Sequence, residues 1–307
     1  MIKEVLRWLI VLFFLKRSQS VKLLKQVKLY QLERFENSLP KVRELRNELS
    51  VFDGPHEFID ENWNRWSKQV LELYESDGDL WRFSRHPVII KTMTGAPVRR
   101  SSSELLQQLS ASNRYFTLEE MVGDNLLNDK DLCSSSSRMA HLYVLSLIEE
   151  DLKAMSYAFD SIVEIGGGFG GLASLFLRKY HARYHIFDLW QMLPLQYSYL
   201  YTVLGDNSRG SISDCSLSPI QALDVRSGDS SLFISNWALT ESTAAMQRFV
   251  IDNDFLGADI AVVCCEDNNT NHKDSMYIHD YLKTNCWRAH GLRGGLCNSM
   301  MYVLDLR

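Results

Sequence analysis

The chain has 307 residues, which is long enough to bury a large core and to form two domains. Its composition, 46% hydrophobic and 23% charged, is that of an ordinary globular protein. A formal net charge of −5 argues against broad nucleic-acid binding, and six cysteines without a C-x-x-C pair indicate reduced thiols in a cytosolic protein rather than a zinc site.

The first thirty residues are basic and apolar. Residues 8–15 form an unbroken apolar run with lysine and arginine on both sides. The run is too short to span a bilayer and lacks a small-residue cleavage site, so we expect neither a membrane span nor a signal peptide. Such a helix can lie on an anionic membrane surface, or pack on its own protein or on a second copy. We hypothesise peripheral contact with the inner membrane face through residues 1–30, and homo-oligomer formation as the alternative.

Helical spacing of apolar residues continues through most of the first 155 residues. It predicts a helix over residues 19–50, in which Pro40 marks a break or a fresh start because proline suits a first helical turn. Further helices are expected over residues 57–76 and 138–151. We therefore expect a helical region at 1–155, which caps the substrate or makes membrane or oligomer contacts, and a catalytic domain at 156–307.

A short apolar segment followed by glycines organises the second half. Residues 161–165, Ser-Ile-Val-Glu-Ile, are typical of a buried parallel strand, and a helical pattern begins at Leu172. Between them, Gly166, Gly168 and Gly171 fit the pattern G-x-G-x-x-G. A strand, a glycine loop and a helix start together form a unit that cradles nucleotides.

Two features of this loop favour S-adenosylmethionine over a dinucleotide. Glu164 lies two residues before the first glycine, where dinucleotide folds usually have an apolar residue. A carboxylate there can hold the ligand's ammonium group, which NAD lacks. The loop also follows a long helical region, whereas NAD domains often begin their chains. The plain alternative is a structural glycine turn that joins strand to helix.

Strands and helices alternate after the loop. Strands are predicted at residues 183–188, between 210 and 217, at 231–235 and at 259–265, with helices at 191–204 and 242–252 and a closing hairpin at 287–306. This alternation predicts an α/β fold with a Rossmann-like, seven-stranded, doubly wound sheet, preceded by the helical region.

Ligands of such sheets bind beyond the carboxyl ends of the strands. This rule brings Glu164, the glycine loop, Asp188 and Asn236 around one crevice. Asp188 ends the second strand, where an acid can accept hydrogen bonds from both hydroxyls of a ribose; the alternative is that it caps the next helix. Carbonyls near Asn236 can meet the ligand's amino end, and we expect the adenine pocket to follow the third strand, near Asp214.

Several motifs together resemble a known family. They are RMAHLY at 138–143, VEIGGGFGG at 163–171, IFDL at 186–189, Leu195-Gln196-Tyr197 with Tyr199-Leu200, and ISNWALTE at 234–241. The chain resembles the class I S-adenosylmethionine-dependent methyltransferases over residues 138–265, and more narrowly the sugar O-methyltransferase family. The resemblance implies methyl transfer to a sugar hydroxyl. The cofactor-binding residues it implies are Glu164, Gly166, Gly168, Gly170, Asp188, Leu189 and Asn236.

A sugar hydroxyl is a poor nucleophile at neutral pH, so a general base should assist. The candidates are Glu241, which can instead cap the next helix, His272, which can be a solvated loop residue, and His141, which can be a packed helix residue. A divalent metal held by Asp267, His272 and Asp274 could instead polarise the sugar hydroxyl, but we do not favour this second way of activating it. We expect no metal ligand in the site.

The sequence thus predicts a cytoplasmic enzyme that methylates a sugar hydroxyl of a glycan or glycoconjugate, in polysaccharide biosynthesis. The first alternative is a methyltransferase of another small molecule or of a lipid. The second is an NAD-dependent sugar-modifying enzyme, against which no Tyr-x-x-x-Lys pair follows the fourth strand. A methyltransferase-like binding protein without activity is the third.

Overall fold

The computed structural model describes residues 17–54, 56–92, 136–180, 182–206, 210–224, 230–266, 275–292 and 299–307. Of the segment expected to contact the membrane, residues 1–30, the first sixteen residues therefore lie outside the described residues. Within the described ranges, no helix combines the length and the apolar character needed to cross a bilayer.

The amino-terminal region begins with one long helix, α1 (Arg17–Leu49). Pro40 lies inside this helix, so the predicted break is wrong. Proline removes one backbone hydrogen bond, but packing compensates, because Phe35, Leu39 and Val42 of α1 are buried in the core on either side of it. Helix α1 packs against α7 (Leu193–Leu204), where the hydroxyls of Ser38 and Ser198 lie 3.4 Å apart.

Shorter helices follow. They are α2 (Glu61–Val70), which continues as a 3₁₀ turn at Leu71–Tyr74, α3 (Asp77–Trp81), α4 (Pro87–Thr92) and α5 (Ser136–Ala154). Helix α2 starts later than the predicted residue 57. Asp60 sets the start, because its side chain accepts a hydrogen bond of 2.8 Å from the backbone N–H of Asn62.

The second half forms one sheet of seven strands in the order β3-β2-β1-β4-β5-β7-β6. The strands are β1 (Ser161–Ile165), β2 (Arg183–Asp188), β3 (Cys215–Pro219), β4 (Ser231–Asn236), β5 (Ile260–Glu266), β6 (Arg288–Leu292) and β7 (Ser299–Asp305). Strands β1 to β5 pair in parallel, while β7 runs antiparallel to both β5 and β6. The prediction of a Rossmann-like, seven-stranded, doubly wound sheet is confirmed.

Alternate residues of the strands face two hydrophobic cores, one on each side of the sheet. Ile162 and Ile186 belong to the core shared with α1, α5, α6 (Gly171–Lys179) and α7. Val163 and Phe187 belong to the core shared with α8 (Ala244–Asp252) and α9 (Ser275–Asn285). Helices therefore cover both faces, and the carboxyl ends of β1, β2 and β4 remain as the edge where a ligand can bind.

Candidate cofactor and active site

The glycine loop after β1 is packed so closely that only glycine fits at its first position. Gly166 has a backbone φ of +75°, and a Cβ added there would lie 2.1 Å from the Cβ of Ala238. A Cβ on Gly167 would lie 2.8 Å from a methyl of Ile186 and 3.3 Å from Oε2 of Glu164. The loop thus touches both the turn after β4 and the Glu164 side chain.

The end of the loop starts helix α6. Gly170 occupies the N-cap position with a φ of +94°. The next residue, Gly171, packs against His141 of α5, whose ring atoms lie 2.9 Å from the position of an added Cβ. The first turn of α6 therefore presents its N–H groups at the edge where β1 ends.

Glu164 is a buried carboxylate beneath the loop. Its side chain is 1% exposed, and its Oε2 accepts a hydrogen bond of 2.8 Å from the Tyr184 hydroxyl on β2. The pKa of Glu164 is raised to about 8: burial raises it most, the hydrogen bond from Tyr184 lowers it, and the nearby Asp188 raises it. A ligand cation would favour the ionised carboxylate at this position.

Asp188 ends β2, as the sequence predicts, and is also buried. Its Oδ1 accepts from the N–H of Leu189 at 2.7 Å, and its Oδ2 accepts from Nε2 of Gln196 at 2.6 Å. The pKa of Asp188 is raised to about 7, because burial raises it more than these donors and the loop N–H groups lower it. Helix α7 begins at Leu193 without any side-chain cap, so the alternative role of Asp188 as a helix cap is wrong.

Sequence reasoning assigned no role to Gln196. This fully buried side chain, in the first turn of α7, donates to Asp188 and also to the carbonyl oxygen of Gly168 at 2.9 Å. It connects the acid after β2 with the glycine loop after β1. The family motif contains Gln196, but its role depends on the packing of α7 beside the loop, which no local pattern reveals.

The turn after β4 forms another wall of the site. Trp237 has a φ of +72°, a strained conformation for a bulky side chain, and its N–H donates to the carbonyl of Cys264 at 2.9 Å. Glu241 ends the 3₁₀ turn that follows. Thr243, whose hydroxyl accepts from the N–H of Met246 at 3.3 Å, caps α8, so the capping alternative for Glu241 is wrong.

His141 packs on the glycine loop from α5, beside Gly171 and Phe169. Burial, together with the charge of Arg138, lowers the pKa of His141 to about 4. The imidazole is therefore neutral at pH 7, as a base must be, but it is a weak base. The alternative reading of His141 as a packed helix residue stays open.

The amino-terminal region supports the loop. Phe169 of the loop is buried against Phe83, with ring centroids 5.3 Å apart, and against Tyr199 of α7 at 5.0 Å. The Tyr74 hydroxyl donates to the carbonyl of Gln191, between β2 and α7, at 2.7 Å. The helical region thus contacts the loop and the β2–α7 connection directly.

Asp214 does not lie where the sequence predicted. Strand β3 begins only at Cys215, because Ser211 caps a 3₁₀ turn at Ile212–Asp214. Asp214 therefore lies at the amino end of β3, opposite the site, and its Oδ2 accepts from the N–H of Gly210 at 2.6 Å. The candidate base His272 and the candidate metal ligands Asp267 and Asp274 lie outside the described residues.

Buried polar atoms that lack partners test whether this edge fits a ligand. Among the described residues, Nε1 of Trp190, Oε1 of Gln196, Oε1 of Gln221 and Oδ1 of Asn236 are buried without a hydrogen-bond partner. Asn236 is the last residue of β4, Trp190 and Gln221 follow β2 and β3, and Gln196 lies in the first turn of α7. Unmet polar atoms of this kind are uncommon in folded proteins, so their grouping fits a polar ligand such as a nucleoside.

Comparisons with known proteins were made for the whole chain. No family model matches it, and no curated protein matches it. Solved structures similar to it include the methyltransferase domain of bacterial CtHen1 (12% identity, 53% of this chain and 97% of that chain, TM-score 0.40). They also include magnesium protoporphyrin IX methyltransferase from Synechocystis PCC 6803 with bound SAM (11% identity, 66% of this chain and 96% of that chain, TM-score 0.42). A third is the mitomycin 7-O-methyltransferase MmcR (12% identity, 66% of this chain and 66% of that chain, TM-score 0.36). Likenesses at this level carry no argument about activity.

Proposed function

We propose that this protein is an S-adenosylmethionine-dependent O-methyltransferase acting on a sugar hydroxyl. The observation that supports S-adenosylmethionine as the cofactor is the pair of buried carboxylates, Glu164 and Asp188, on neighbouring strands beside a glycine loop. Burial raises the pKa of both groups. A ligand that brings an ammonium group and a ribose diol supplies the partners that two such carboxylates need.

The same carboxylates disfavour a dinucleotide. NAD would bring an anionic pyrophosphate to the glycine loop, where Oε2 of Glu164 lies 3.3 Å from the position of a Cβ on Gly167. An anion close to a buried carboxyl group disfavours the ionised form of that group, whereas a cation favours it. S-adenosylmethionine carries no phosphate, and its sulfonium and ammonium groups are cationic.

The chain's residues have distinct roles in this proposal. When bound, the cofactor supplies a methyl group on a positively charged sulfur. Glu164 faces the amino-acid end, Asp188 and Leu189 face the ribose, and Gly166, Gly168 and Gly170 allow close approach. The carbonyls near Asn236 face the amino end from β4. A base, Glu241, His141 or His272, takes the proton of the sugar hydroxyl.

The assignment of a sugar as the methyl acceptor rests on the resemblance of the motifs at 186–189 and 234–241 to the sugar O-methyltransferase family. This resemblance suggests a glycan or glycoconjugate as the acceptor class. The test is transfer of a labelled methyl group from S-adenosylmethionine to a panel of sugars and oligosaccharides. We expect labelled product with at least one sugar and none with Asp188→Ala. Transfer only to lipids or to other small molecules would support the first alternative and overturn the sugar assignment.

We also propose peripheral membrane contact through residues 1–30. The described part of α1 exposes Leu29 and Tyr30, at 66% and 54%, directly after the basic apolar stretch. The test is flotation with vesicles that contain phosphatidylserine or only phosphatidylcholine. We expect binding to the anionic vesicles alone, and equal flotation of a variant lacking residues 1–18 would overturn the proposal. Self-association of the full chain in solution would favour the alternative contact.

A further inference from the structure

The orientation of the Gln196 side-chain amide is fixed by its two neighbours. Nε2 lies 2.9 Å from the carbonyl oxygen of Gly168 and 2.6 Å from Oδ2 of Asp188. The carbonyl oxygen of Gly168 can only accept a hydrogen bond, so the amide group that lies 2.9 Å from it must be the NH₂. The NH₂ group must therefore face both, which turns Oε1 away from them.

Oε1 of Gln196 is consequently an acceptor without a donor. It is buried, and no described residue donates to it. The oxygen and nitrogen of one amide lie roughly 2.2 Å apart, so Oε1 is within about 5 Å of Oδ2 of Asp188. A fully buried acceptor without a partner is unfavourable unless a ligand supplies the donor.

We propose that Oε1 of Gln196 accepts a hydrogen bond from one ribose hydroxyl of the nucleoside cofactor, while Asp188 accepts from the other. This inference rests on the proposed function. Both oxygens of Asp188 already accept from protein donors, Leu189 and Gln196. An additional acceptor beside Asp188 matches a ligand with two adjacent hydroxyl donors. Gln196 is then a specificity-determining residue for ribose.

A purely positioning role makes a different prediction. If Gln196 only orients Asp188, that carboxylate is the acceptor for both ribose hydroxyls, and the loss of Gln196 reduces the affinity penalties for both missing hydroxyls together. If Oε1 contacts one hydroxyl, its loss weakens only those ligands that carry this hydroxyl. Removing a neutral hydrogen bond weakens binding by roughly 2- to 13-fold, so the two roles can be separated by measurement.

The experiment measures Kd by calorimetry for S-adenosylhomocysteine and for its 2′-deoxy and 3′-deoxy analogues. The proteins are the wild type, Gln196→Met and the control Gln247→Met. Gln247 is also fully buried, but its amide is paired at both ends, with the carbonyl of Ser242 and the N–H of Ile278. It lies on α8, away from the glycine loop.

We expect wild type and Gln247→Met to bind both deoxy analogues more weakly than S-adenosylhomocysteine. The penalty for a missing hydroxyl is the Kd of the deoxy analogue divided by the Kd of S-adenosylhomocysteine. In Gln196→Met this ratio should fall to about 1 for one analogue and keep its wild-type value for the other. Unchanged penalties for both analogues, or a fall in both penalties together, would overturn the inference. If Gln196→Met does not fold, Gln196→Asn, whose amide is one methylene shorter, is judged by the same criterion. If wild type binds no S-adenosylhomocysteine, the proposed function itself fails.

Discussion

Tyr184 and Glu164 are diagonal neighbours on the paired strands β2 and β1, and the Tyr184 hydroxyl donates to the buried Glu164 carboxylate at 2.8 Å. Among the residues that the structure describes, no lysine or arginine hydrogen-bonds to Glu164, and burial raises the pKa of both Glu164 and Tyr184. A carboxylate kept out of water beside a phenol is unfavourable in its charged form. This pair therefore makes both stability and ligand affinity depend on pH.

The first prediction concerns stability. The pKa of Glu164 is about 8 in the folded protein and ordinary, near 4.5, in the unfolded chain. Between these values the folded state binds more protons, so the free energy of unfolding falls as pH rises, by up to about 1.4 kcal/mol per pH unit for one group. We expect Glu164→Gln to reduce this fall between pH 5 and 8 in urea unfolding.

The control for this measurement is Glu36→Gln, which changes an exposed carboxylate of α1. It should leave the pH slope of the wild type unchanged. Equal slopes for Glu164→Gln and wild type would contradict the assignment of Glu164 as a buried group with a raised pKa.

The second prediction concerns the contact between Gly166 and Ala238. In Gly166→Ala the new Cβ would lie 2.1 Å from that of Ala238, so the loop must shift and S-adenosylhomocysteine should bind at least tenfold more weakly, about 1.4 kcal/mol. The double variant with Ala238→Gly should recover part of the loss, because only the strain at a φ of +75° then remains.

Gly78→Ala is the matched control, since Oγ of Ser76 at 3.8 Å is the nearest atom to its new Cβ. It should keep wild-type affinity. Wild-type affinity of Gly166→Ala, or a double variant that binds no better than the single one, would show that this contact does not shape the site.

The sequence was informative where the local pattern decides the structure. The β-branched, apolar residues of β1 and β5 and the acid that ends β2 could be located because central parallel strands are buried on both faces. Strand β3, Cys-Ser-Leu-Ser-Pro, lies at the edge, and its polar residues give no such signal. The helix through Pro40 depends on packing against α7, which no local pattern contains.

In the candidate site, too, some features follow from the local sequence pattern and others only from tertiary packing. Glu164, the glycine loop and Asp188 were predictable, because the carboxyl ends of adjacent parallel strands meet at one edge. Tyr184 has a sequence signal in hindsight, since β2 alternates and Tyr184, Ile186 and Asp188 share the face of Glu164. Gln196 and the positive φ of Trp237 have none, because both follow from tertiary contacts.

The third prediction concerns the strain at Trp237. Its left-handed backbone, with a φ of +72°, disfavours any side chain with a Cβ but not glycine. Trp237→Ala and Trp237→Gly lose the same indole contacts. We expect the glycine variant to have the higher free energy of unfolding, by about 1 kcal/mol. Equal stability of the two variants would contradict backbone strain at this turn.

The fourth prediction concerns the general base. Alanine substitution of Glu241, His141 and His272, one at a time, should reduce turnover by about 10²–10⁴-fold in one variant. His141→Ala should also weaken cofactor binding, because its ring packs on Gly171 of the loop. Turnover is measured with saturating acceptor, and cofactor affinity is measured separately by calorimetry. Full turnover in all three variants would exclude each of them as the base.

The central claim is that the edge between β1 and β2 binds a sulfonium nucleoside. Calorimetry of the full chain with S-adenosylmethionine, S-adenosylhomocysteine and NAD tests it most directly, in wild type and in Asp188→Ala. We expect wild type to bind the first two with micromolar Kd, Asp188→Ala to bind them at least tenfold more weakly, and neither protein to bind NAD. Binding of NAD alone, or no binding of either sulfur compound by the wild type, would contradict the account.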